Sequence, residues 1–266
     1  MSVSVTASFA FEFEQPTSAL LQFEAACLPE QYLSATSTLI TPTKHFARVP
    51  AQDNIGERIW LRGDGLIEVD YSATIASRAI IHDIEGLDAL DPHELPGEAV
   101  SYLLDSKYCS AERCQSLVTE DFGDTTGGAR IAAIRNWIEE HFSYVPGSSD
   151  TTTDAIDSFI ARQGICRDYA HVMVTLARAS AIPARYVACY APGVEPQDFH
   201  AIAEVFLADP ERPGGGTWQP VDATGMADLG NVAKIGIGRD ASDVSFITSF
   251  GPMNFHRSAV TVDVHD

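Results

Sequence analysis

The sequence predicts an α+β protein in two parts, and three observations carry that prediction. Apolar and polar residues alternate with a period of two in the first hundred residues, the period becomes helical after a breaker-rich stretch at 88–97, and strand-like runs return from 186 onward. The chain is therefore expected to divide into a mostly antiparallel β domain at 1–97 and an α+β domain at 98–266, in which helices precede an antiparallel sheet. Its 266 residues are enough for two modest domains, and a hydrophobic content of 45% supplies a core for each.

Val3, Val5, Phe9, Phe11 and Phe13 alternate with polar or small neighbours, which predicts a half-buried strand that Pro16 ends. Further runs at 39–43, 59–61, 66–69 and 71–75 read as strands, with Gly63-Asp64-Gly65 as a turn between two of them. Asp91-Pro92 and Leu95-Pro96-Gly97 mark the domain boundary. Helical spacing then covers 110–121 and 128–142, the latter with Ile131, Ile134, Trp137 and Ile138 on one face. A short helix is expected over 151–160, with Thr and Asp near its N-cap. The next helix runs from Cys166 to about Ser180 and is poorly charged on every face, so it should be central and buried. Pro183 stops it, and 186–190 begins a sheet that strands at 199–207 and 217–222 extend. Gly236-Ile237-Gly238 reads as a loop.

The stretch Gly164-Ile165-Cys166-Arg167-Asp168 holds the strongest chemical signal. It sets a cysteine at a helix start, where unpaired amide N–H groups and the positive dipole end stabilise a thiolate and offer donors to an oxyanion. A cysteine alone there is more often a packing residue, so the partners decide. His200 opens one strand, Asp222 closes the next, and the Pro/Gly-rich loop at 208–216 joins them, so an antiparallel hairpin brings the two together. The position midway between them is 211, inside that loop, which predicts near cross-strand pairing. A carboxylate beside an imidazole fixes its tautomer and stabilises its cation, completing a nucleophile, base and orienter set.

These residues resemble the bacterial transglutaminase-like proteins, relatives of the papain-like cysteine hydrolases. The resemblance rests on Gly-x-Cys-Arg-Asp-Tyr-Ala-His at 164–171, Ile182-Pro183-Ala184-Arg185-Tyr186, Asp198-Phe199-His200-Ala201 and Val221-Asp222-Ala223-Thr224. Tyr102-Leu103-Leu104, Ser106, Tyr108-Cys109 and Gly238-Arg239-Asp240-Ala241-Ser242-Asp243-Val244 extend it over most of the chain. It implies a papain-like α+β domain with a central helix, preceded by the β region, and a Cys166, His200, Asp222 triad acting on an amide through a thioester. The expected activity is a thiol hydrolase of the cysteine protease or amidase type that cleaves an amide or isopeptide bond in a peptide, protein or small-molecule substrate. Transfer of the acyl group to a primary amine is one alternative; a non-catalytic interaction protein on the same scaffold is the other.

Nearby residues have plainer readings. His171 lies five residues after Cys166, roughly 140° around the helix, and is expected in the core or in a hydrogen bond. Structural pairing is expected of Arg167 and Asp168. The Cys166 backbone N–H is the natural first oxyanion donor; Gln163 is a candidate second donor, and Trp218 a candidate wall near Asp222. Cys109 and Cys114 are five apart and Cys27 and Cys189 isolated, so neither a metal knuckle nor a CxxC pair is present, and neither metal nor cofactor is expected. Seventeen basic residues against 37 acidic ones give a net charge of −20, which disfavours nucleic acid and anionic membrane partners. It would attract an amine-bearing or polycationic substrate, although a merely solubilising surface explains it as well. The odd cysteine count and the lack of a basic and then apolar leader fit a reducing, cytoplasmic setting.

Overall fold

The computed structural model of the chain describes residues 2–265. Its first part is a six-stranded sheet built on two long strands, β1 (Ser2–Leu21) and β4 (Glu57–Ser77), with β2 (Gln31–Ile40) and β3 (His45–Pro50) paired side by side along β4. The alternating residues Val3, Val5, Phe9, Phe11 and Phe13 are buried, as the period of two requires.

Two expected breaks are absent. Pro16 does not end β1, and Gly63-Asp64-Gly65 does not turn β4 back on itself. Phe13 pairs with Gly65 and Thr17 with Gly63, so Glu14, Gln15 and Pro16 bulge opposite Asp64 alone. A bulge leaves its extra residues unpaired, which removes the demand for a proline N–H and lets the strand continue.

The second part holds five α-helices and a four-stranded sheet. The helices are α1 (Gly97–Val100), α2 (Gln115–Phe122), α3 (Gly127–His141), α4 (Ala155–Ala161) and α5 (Cys166–Ala179). Two short strands, β5 (Ser143–Tyr144) and β6 (Gln163–Gly164), pair in parallel just before α5. The sheet comprises β7 (Ala184–Tyr190), β8 (His200–Ala208), β9 (Gly216–Val221) and β10 (Ala233–Gly238), antiparallel throughout in the order β10-β7-β8-β9. Helix α5 is buried from Asp168 to Arg178 and shares one core with α3, β8 and the end of β9, which makes it the expected central helix. The 236–238 segment is strand rather than loop: Gly236 leaves room for the Gln22 carboxamide, which a Cβ there would overlap.

The chain finally returns to where it began. Strands β11 (Ile247–Ser249) and β12 (Asn254–His265) both pair with β1, so the expected second domain of 98–266 gives up its C-terminal strands to the first sheet. The two parts also share apolar contacts. Tyr190, Ala233 and Ile235 of the second sheet lie in the same buried cluster as Phe9, Phe11 and Phe23 of the first.

Candidate active site

The loop before α5 is shaped by one carboxylate. Ile165 is extended at the N-cap, and Asp168 reaches back to accept its N–H at 2.9 Å, so the chain turns into helix at Cys166. Asp168 also accepts from Ser149 Oγ at 2.5 Å and from Arg167, and it is fully buried. Gly164 is required beside it, since a Cβ there would lie 2.5 Å from the Asp168 Cβ. Arg167 and Asp168 thus have the structural pairing expected of them.

Cys166 is half-buried, with its Sγ 4.0 Å from the Phe199 carbonyl oxygen at the entry to β8. His200 is buried and its Nε2 lies 3.1 Å from Asp222 Oδ2. His200 Nδ1 has no hydrogen-bond partner, and Cys166 lies near enough to bear on the ionisation of the imidazole. Burial would lower the basicity of His200, but its hydrogen bond to Asp222 and the neighbouring Cys166 outweigh it and raise its pKa to about 9. Asp222 also accepts from Thr224 N–H (2.9 Å), Thr224 Oγ1 (2.7 Å) and Ala227 N–H (2.8 Å). Burial would raise its pKa, but the His200 hydrogen bond and these other donors keep it below the usual carboxylate range.

The register differs slightly from the expected pairing. Ala203 faces Val221, which sets Asp222 level with Ile202 and two residues from His200 on the same face. Diagonal neighbours remain within reach of long side chains, so the contact survives.

The remaining candidates separate from the three. His171 is fully buried, stacked 5.0 Å from Tyr108, and accepts the Ala241 N–H at 3.1 Å; desolvation pushes its pKa down to about 3 and keeps it neutral. Gln163 is exposed on the β5–β6 pair. Trp218 lies against Arg185 (4.1 Å), Phe206 and Tyr102 and is not part of the cleft. The five cysteines are unpaired, and among the described residues no cluster of His, Cys, Asp or Glu could hold a metal ion. No helix of the described residues is long and apolar enough to cross a membrane.

Sequence reasoning missed Tyr144. The β5–β6 pairing sets it opposite Gly164, two residues before Cys166, which brings its phenol near the Cys166 thiol. Burial raises its pKa, so the phenol is protonated and able to donate. A two-residue parallel pair leaves no pattern in a sequence, so nothing marked it.

Cys166 and His200 open onto a cleft of about 440 Å³ between the two sheets. One wall comes from Tyr108, Tyr186 and the 241–245 segment, the other from Gln22, Phe246 and Thr248 of the first sheet's side. Arg178 holds the former wall together by donating to the carbonyls of Leu104, Ala184 and Arg239, while Asp240 accepts the Tyr108 N–H at 2.9 Å. Those contacts give the motif segments at 102–109 and 238–244 a physical role: each is half of one wall.

Residues 116–223 match the model of the transglutaminase-like superfamily. Among solved structures, a candidate cysteine protease from Cytophaga hutchinsonii superposes with a TM-score of 0.91 at 27% identity, covering 100% of this chain and 91% of its own. An uncharacterised Mycobacterium leprae protein is 24% identical over 119 residues, and one from Mycobacterium bovis 29% identical over 134, covering 43% and 46% of this chain. The match spans 42% of the length of each of these curated relatives. The chain therefore shares the fold of that candidate cysteine protease, and its residues 116–223 are similar to the transglutaminase-like superfamily.

Proposed function

We propose that the protein is a thiol hydrolase that cleaves an amide or isopeptide bond through an acyl-enzyme on Cys166. The observation that carries this reading is the side-chain series itself: a thiol at a helix N-terminus, an imidazole lining the same cleft, and a buried carboxylate 3.1 Å from the imidazole. His200 takes the Cys166 thiol proton as general base. The Cys166 sulfur attacks the carbonyl carbon, forming the S–C bond, and the oxyanion is met by the Cys166 N–H and the Tyr144 hydroxyl. His200 delivers its proton to the nitrogen as the C–N bond breaks, and the amine leaves. It then takes a proton from water as the water oxygen bonds to the acyl carbon and the S–C bond breaks, releasing the acid. Asp222 holds Nε2 and stabilises the imidazolium throughout.

The test is turnover of a peptide and isopeptide amide library by the wild type and Cys166→Ser, with a labelled primary amine present. The expected result is free acid formed only by the wild type. Label in the product would convert the reading to acyl transfer, and equal turnover by both proteins would remove it.

A further inference from the structure

The charge of the cleft is opposite to that of the chain. The molecule carries −20 overall, yet the residues lining the cleft include Lys107, Arg167 and His200 and not one Asp or Glu. Arg167 is largely compensated, since its guanidinium donates to the buried Asp168 carboxylate and to the Asp150 carbonyl. Lys107 is not. The chain has three lysines: Lys44 pairs with Asp64, Lys234 with Glu204 and Glu30, whereas the Lys107 ammonium makes no ion pair among the described residues and rests on Tyr108, 2.7 Å from its hydroxyl. Lys107 is exposed and free to swing to a ligand.

The opposite wall carries no charge to meet it. Gln22 there is 2% exposed, its carboxamide oxygen accepts from Arg58 Nε at 3.2 Å, and its Nε2 is packed against Gly236, out of a ligand's reach. An ammonium left without a counter-ion in the cleft of Cys166 calls for an anion.

We infer that the substrate carries a carboxylate next to its scissile amide, and that Lys107 is the residue that selects it. This deepens the hydrolase reading and rests on it. The cleft is also lined by apolar Ala188, Ile235 and Val244, so the bound group has an aliphatic stem and an anionic tip. The surface outside the cleft, being acidic, repels such a substrate, so the local field does the selecting.

The test needs no known substrate. Iodoacetate and iodoacetamide differ in a carboxylate against a carboxamide, and the exposed Cys27 of the same molecule supplies the reference. Peptide-level mass spectrometry of the full chain follows both reagents at both cysteines. The ratio of iodoacetate to iodoacetamide rates at Cys166 is expected to exceed that at Cys27 by ~10-fold. Because His200 also attracts the anion, Lys107→Gln isolates the lysine: the ratio at Cys166 should fall by ~3-fold or more, and further in Lys107→Glu. An unchanged ratio in both variants overturns the assignment and leaves the hydrolase reading standing. A Cys166 inert to both reagents removes both.

Discussion

The two walls of the cleft are built on opposite plans. One side, built by α5, β8 and β9, holds Cys166, His200 and Asp222, with Tyr144 on β5 just before α5, each placed by a neighbour: Asp168 turns the chain at Cys166, and the β8–β9 hairpin delivers His200 and Asp222. The other wall holds no reacting group and is assembled from distant segments, Gln22 at the end of β1 and Phe246 and Thr248 at β11, joined by strand pairing. Local construction suits chemistry, which tolerates little misplacement, whereas a wall paired across the sequence can change its side chains without moving the nucleophile. The walls are nonetheless coupled. Phe199, next to His200, packs 4.4 Å from Phe246 and 6.5 Å from Phe9, so the first sheet braces the start of β8.

This contrast breaks down if changes on the second wall damage the chemical step as deeply as changes on the first. The largest effect is expected for Cys166→Ala, a loss of ~10⁴-fold or more in kcat/KM with thermal stability nearly unchanged, read from turnover and a melting curve. Asp222→Ala should cost ~10³-fold in kcat/KM. Because His200 titrates near 9, activity should decline as pH rises through that value, and removing Asp222 should move the decline to lower pH. The same shift makes a stability statement. Raised above 6.5 in the folded state, the His200 group stabilises fully below about pH 6.5, and its contribution is lost as pH climbs through 9.

A smaller effect, on folding rather than chemistry, sharpens the comparison from behind the hairpin. Glu204 is buried between Arg185 (2.6 Å) and Lys234 (2.5 Å); burial opposes its ionisation, but these two cations hold its pKa down to about 2. Its contribution is present above the ordinary 4.5 and lost as pH falls towards 2. Glu204→Gln should cost about 3 kcal/mol in urea unfolding at neutral pH, since it strands two poorly solvated cations. The smallest effect expected is that of Tyr144→Phe, a ~10-fold fall in kcat with KM little changed, as befits a donor used only in the transition state.

What the sequence disclosed follows the same division. The placement of Cys166 at a helix start and the meeting of His200 with Asp222 were legible because a helix start and a hairpin are local objects, each written in consecutive residues. The buried α5 was legible from its lack of charge. Tyr144 and Gln22 were not, since one depends on a two-residue parallel pair and the other on a strand end meeting Gly236 across the molecule. The continuity of β1 and β4 was hidden too: Pro16 and Gly63-Asp64-Gly65 read as breaks, and only their mutual opposition turns them into one bulge. Likewise the return of β12 to β1 joins the two ends of the chain, beyond the reach of any window-based pattern.

The central claim is that Cys166 and His200 act as one proton-sharing pair. The most direct measurement is the pH dependence of iodoacetamide alkylation at Cys166 in the wild type and in His200→Ala. The account predicts fast alkylation persisting well below the free-thiol pKa of ~8.5 in the wild type and its loss in the variant. An ordinary thiol profile, the same in both proteins, would contradict it.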